Sequence, residues 1–97
     1  MRLVWDPSKS DANLRERGFD FAFASLVFDG RRLEQEDRRH DYGERRVVAI
    51  GVAQGIHVTV VYTDCADDHG ETVRRIISAR RSSRREREAW SEAIAGP

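Results

Sequence analysis

Hydrophobic and polar positions alternate most cleanly between residues 56 and 63, where Ile56, Val58, Val60 and Tyr62 fall on one face of an extended segment. The β-branched run from Arg46 to Gly51 predicts a partner strand, and Leu33 to Asp37, polar after its first residue, an edge strand. Thr72 to Arg80 predicts the last strand. Gln54-Gly55 and Asp67-Asp68-His69-Gly70 supply turn residues on either side of the central strand.

Before residue 31 and after residue 81 the periodicity is helical. Arg2 to Trp5 predicts a short first strand. Asp6 then stands as a helix cap with Pro7 at the first helical position, where a missing N–H costs nothing. Gly18 supplies the left-handed residue that ends this helix near Arg17. A second helix starts at Asp20 and carries Phe21, Ala24 and Phe28 on one side, until Asp29-Gly30 stops it. Ser82 or Ser83 caps a final helix with Ala89, Trp90, Ala93 and Ile94 as a narrow apolar stripe. Ala95-Gly96-Pro97 reads as a frayed end. The pattern predicts an α+β fold: one domain over residues 1–97, with two N-terminal helices and one C-terminal helix around an antiparallel sheet.

Composition narrows the class. The chain has 97 residues, 39% of them hydrophobic and 35% charged, enough for a single modest core. No apolar run is long enough to cross a bilayer, and the N-terminus lacks a secretion signal, which predicts a cytoplasmic protein. Cys65 is alone, so there is no internal disulfide and no cysteine zinc site. Asp64, Asp67, Asp68 and His69 lack the alternating oxygens and distal glutamate of a calcium loop and read as a turn, leaving no metal ligands and no cofactor to expect.

Charge is segregated although it cancels overall. Residues 74–87 hold seven arginines and one acid; residues 1–73 carry fourteen acidic and ten basic side chains. A local cationic site points to a polyanion such as RNA, because guanidinium groups hold phosphate in paired, planar hydrogen bonds. Strict alternation in the last strand places Arg74 and Arg80 on one face and Arg75 on the other, so Arg75 and Arg80 become neighbours only if a bulge intervenes.

Four ordered blocks carry a resemblance: Trp5-Asp6-Pro7-Ser8-Lys9; Asn13-Leu14 ahead of Gly18; Asp37 to Arg45; and Arg75 to Arg87. Together they resemble the BrnT family, toxins of type II toxin–antitoxin pairs with a fold similar to the RelE-like ribonucleases. Where that family usually has Lys-His before the glycine, this chain has Glu16-Arg17, and Arg81-Ser82 replaces a basic residue followed by alanine. The resemblance implies a metal-independent endoribonuclease and a BrnA-like ribbon-helix-helix antitoxin. It also implies that the toxin–antitoxin complex binds operator DNA through the antitoxin and represses its own promoter.

Cleavage without a metal requires removal of the 2′-hydroxyl proton, stabilisation of charge on phosphorus and protonation of the leaving oxygen. His40 or Glu44 is the candidate proton carrier, with Arg45 and Arg80 as phosphate clamps; His40 is equally readable as a solvated turn residue. Arg75, Arg84, Lys9 and Trp5 are candidate RNA contacts. For Arg84 a solvated ion pair with Glu88 is the simpler reading, and for Trp5 a place in the core. Lys9 is a cation in a first helical turn, where an anion is preferred. The rival function is a noncatalytic nucleic-acid-binding domain, or an interaction domain that only supports its antitoxin.

Overall fold

A computed structural model describes residues 1–95, so the expected frayed end at Gly96 and Pro97 lies outside the described residues. The chain runs β1 (Arg2–Val4), α1 (Pro7–Arg17), α2 (Phe21–Ala24), a 3-10 turn (Ser25–Asp29), then strands β2 (Leu33–Asp37), β3 (Arg46–Ala53), β4 (Ile56–Ala66) and β5 (Thr72–Arg81). It closes with α3 (Arg84–Trp90), which continues as a π-helical turn over Ser91–Ala95. The five strands form one sheet in the order β1-β5-β4-β3-β2. No helix is long and apolar enough to cross a membrane.

The capping residues act as their chemistry dictates. The Asp6 carboxylate accepts from the Ser8 N–H at 2.8 Å, and Gly18, at φ 85°, donates its N–H to Leu14 O. Because α1 has only a weak apolar stripe, buried polar groups fasten it: Asn13 Nδ2 donates to Phe19 O, and Ser10 Oγ accepts from the Phe21 N–H. Asp20 caps α2 through Phe23 N–H. The Gln54-Gly55 turn joins β3 to β4 with both residues at positive φ (47° and 80°), the signature of a two-residue hairpin.

Two expectations are corrected. The helix predicted to run from Asp20 through Phe28 is α-helical only to Ala24, then tightens into the 3-10 turn. The tightening drives Val27, fully buried, onto Gly51 of β3, where a Cβ would stand 3.1 Å from Val27 Cβ. The sheet is mixed rather than antiparallel, because β1 pairs in parallel with β5. β1 and β2 therefore form the two edges of the sheet.

α1 and α2 cover one face of the sheet, where Phe19, Phe21, Ala24 and Val27 pack on Ala53, Val58, Val60, Ile76 and Ala79. The other face is covered only at one end. There Trp90 of α3 meets His57 edge-on at 5.2 Å and donates its indole N–H to Arg31 O. On the rest of this second face Thr59 and Thr63 are buried, while Val48 and Val61 lie at the bottom of a groove.

Candidate functional site: the open sheet face

The open face owes its arginines to one irregularity. Between β4 and β5 the register runs Thr59↔Arg80, Val60↔Ala79, Val61↔Ser78 and then Tyr62↔Ile76, skipping Ile77. This bulge resets the alternation. Arg75, paired with Thr63, now shares a face with Ser78 and Arg80, while Ile76 and Ala79 keep to the core. Arg74 goes to the helix-covered face, where its guanidinium lies 4.1 Å from the Tyr62 ring centroid and is gripped bidentately by Asp64. Strict alternation, which separated Arg75 from Arg80, is thereby overturned.

Arg80 is the fixed point of the groove. Its two terminal nitrogens reach the Glu86 carboxylate at 2.6 and 2.9 Å. Glu86 belongs to α3, where it completes a capping box: Ser83 Oγ accepts from the Glu86 N–H, and Glu86 Oε1 accepts from the Ser83 N–H. Partial burial opposes the Glu86 charge, but the hydrogen bonds from Arg80 and the Ser83 N–H outweigh it and hold the carboxyl at about 2. Beneath, Thr59 Oγ1 and Ser82 Oγ share a hydrogen bond of 2.8 Å. Ser82, the alternative cap, is therefore a buried strand-end residue, and Ser83 is the cap.

A second cluster fastens the loop between β2 and β3. Asp37, whose side chain is almost fully buried, accepts two hydrogen bonds of 2.9 Å from Arg39 and one from Tyr42 Oη. The Arg39 hydrogen bonds dominate and pull its carboxyl to about 2. Tyr42 lies under the Arg46 guanidinium at 4.0 Å, Arg46 bonds Glu44, and Glu44 bonds Arg75 at 3.0 Å. An unbroken polar chain from Arg39 to Arg75 thus ties loop to sheet. Between this loop and α3 lies a groove of about 290 Å³, floored by Val48 and Val61 and walled by Asp37, Arg39, Arg80 and Glu86.

Of the candidate residues, Arg80, Arg75 and Glu44 stand on this face. Arg45 is exposed and pairs with Glu36 at 3.4 Å, while its carbonyl accepts from Thr63 Oγ1. His40 is an exposed loop residue whose ring meets Tyr42 edge-on at 5.6 Å. Arg84 bonds Glu88 at 3.0 Å with both side chains largely exposed, the solvated reading. Trp5 packs against the core cluster, and Lys9 sits exposed on α1, so both belong to the helix-covered side and stand apart from Arg80. Asp67 is occupied by the turn N–H groups of His69 and Glu71 and by Arg2. Glu86, Asp37 and Arg39 were not among the candidates. The Ser83-x-x-Glu86 spacing, a capping-box signature, was the available signal for Glu86.

These features define a small α+β domain that covers one sheet face with helices and leaves much of the other as a groove lined by guanidinium and carboxylate groups. The family model for the ribonuclease toxin BrnT of type II toxin–antitoxin systems matches residues 5–86, and the chain belongs to that family. No curated protein matches the chain. The matched span begins at Trp5 and ends at Glu86, taking in the loop, the bulged strand and the Arg80 partner. Membership brings two ligands to account for: an RNA substrate and a protein antitoxin.

Proposed function

We propose that this toxin is a metal-independent endoribonuclease of RelE-like architecture whose substrate lies along the open sheet face. The observation that carries the reading is the bulge at Ile77, which turns Arg75 and Arg80 to the same side. The 2′-oxygen attacks the adjacent phosphorus, and the bond to the 5′-oxygen breaks. One proton leaves the 2′-hydroxyl and one is delivered to the departing oxygen, yielding a 2′,3′-cyclic phosphate and a 5′-hydroxyl. Arg75 and Arg80 hold the charge that gathers on the phosphoryl oxygens. Glu86 occupies the terminal nitrogens of Arg80, while the Arg80 Nε makes no hydrogen bond among the described residues and is left for phosphate.

Proton transfer falls to His40 or Glu44, both on the loop that the Asp37–Tyr42–Arg46 chain holds against the sheet. Asp37 and Glu86, held near 2, remain anionic at neutral pH and serve as positioning groups rather than acids. The antitoxin is a BrnA-like ribbon-helix-helix protein, and the complex represses its own promoter through it; the toxin acts in the cytoplasm. Each groove arginine already carries a carboxylate, which favours a second reading, a noncatalytic interaction domain. The purified toxin, freed of antitoxin and incubated with RNA in EDTA, separates the two: fragments ending in cyclic phosphate support the enzyme, and binding without fragments supports the interaction domain.

A further inference from the structure

The ribonuclease reading leaves the opposite face unused, and that face ends in a second groove. About 290 Å³ in volume, it lies where the end of α1, α2 and the start of β4 meet, and Leu14, Phe19, Phe23, Ile56 and Arg81 line it. Its walls are mostly apolar. Leu14 is 50% exposed and, Met1 apart, is the one large exposed hydrophobic side chain among the described residues. Burial of Leu14 by a partner recovers free energy that folding leaves unused.

Charge gives the groove its selectivity. Arg75 and Arg80 on the open face are each neutralised by a glutamate. Arg81 in the groove lining has no carboxylate partner among the described residues, and neither has Arg17, the neighbour in sequence of the lining residue Gly18, which donates to Ala79 O at 3.1 Å. The one acid in the lining, Asp20, is engaged in capping α2. An aliphatic and aromatic cleft edged by unneutralised guanidinium groups suits a protein segment with apolar side chains and flanking carboxylates.

We propose that this groove anchors the antitoxin through an acidic segment whose apolar side chains cover Leu14 and fill the space between Phe19, Phe23 and Ile56. The proposal rests on the toxin–antitoxin reading and adds where the partner grips. Arg80 and Arg81 are consecutive and face opposite sides of β5, so a segment seated at Arg81 reaches the sheet end beside the open face without competing for Arg80.

The test uses the full-length toxin and its full-length cognate antitoxin, with affinity measured by calorimetry for wild type, Leu14→Asp, Arg81→Glu and Arg80→Ala. Leu14→Asp and Arg81→Glu are expected to weaken the complex about thirtyfold each, as loss of an interface hot spot does. RNA cleavage by these free variants stays unchanged, and Arg80→Ala binds as wild type. Wild-type affinity in both groove variants overturns the proposal, as does loss of binding confined to Arg80→Ala, which places the antitoxin on the open face. A wild-type dimer abolished by Leu14→Asp, with antitoxin affinity intact, also overturns it and assigns the groove to self-association. Should Leu14→Asp fail to fold by circular dichroism, Leu14→Ser and the surface change Arg81→Glu decide. No complex with the wild-type toxin removes the toxin–antitoxin reading itself, an outcome distinct from wild-type affinity in the variants.

Discussion

Glu86 joins two elements, so its replacement should be felt twice. Glu86→Gln keeps an oxygen for the Ser83 N–H and so preserves the capping box, but it removes the charge that faces Arg80 across 2.6 and 2.9 Å. With the Arg80 side chain 45% exposed, solvent screens the pair and reduces its worth to about 1 kcal/mol. Glu86→Ala loses the capping oxygen as well, for about 2 kcal/mol in total. In a domain of this size each kcal/mol lowers the melting temperature by about 4–8 °C. The pH dependence identifies the cause. The carboxyl is depressed from 4.5 to about 2, so its stabilisation is fully present above its ordinary value and is lost as pH falls toward 2. Urea unfolding of wild type and Glu86→Gln should differ at neutral pH and converge in strong acid. An equal difference at both ends would show that the ion pair is not what the substitution removes.

His40→Ala should lower RNA cleavage about a hundredfold, the scale of a lost general acid or base, with no change in melting temperature because the side chain is exposed. Glu44→Gln tests the competing assignment, and full activity in either variant removes that residue from proton transfer. Gly51→Ala should destabilise the fold by about 1–3 kcal/mol, since its new methyl would stand 3.1 Å from Val27 Cβ. An unchanged urea midpoint would mean the 3-10 turn does not depend on that close approach.

Much of the architecture was legible because local chemistry matched the global fold. The caps at Asp6, Gly18 and Asp20, the Gln54-Gly55 turn and the alternation of β4 each announced one element. What escaped depended on distant partners. Phe28 is helically spaced, yet the turn it occupies is set by Gly51, more than twenty residues away in sequence. The parallel pairing of β1 was invisible because three residues carry no directional signal. The candidate site failed at its hinge: β5 mixes arginine and isoleucine on both faces, so no hydrophobic pattern marks Ile77 as the extra residue. Glu86, in contrast, was readable from its spacing to Ser83, but a capping role concealed its grip on Arg80.

The central claim is that Arg75 and Arg80, brought to one face by the bulge, hold the phosphate to be cut. Single-turnover cleavage of RNA in EDTA by Arg75→Ala and Arg80→Ala, beside Lys9→Ala and Arg84→Ala, tests it most directly. The open-face variants are predicted to lose about 10²–10³-fold in rate with their fold intact, and the other two to cut as wild type. Full cleavage by an Arg75→Ala/Arg80→Ala double variant would contradict it.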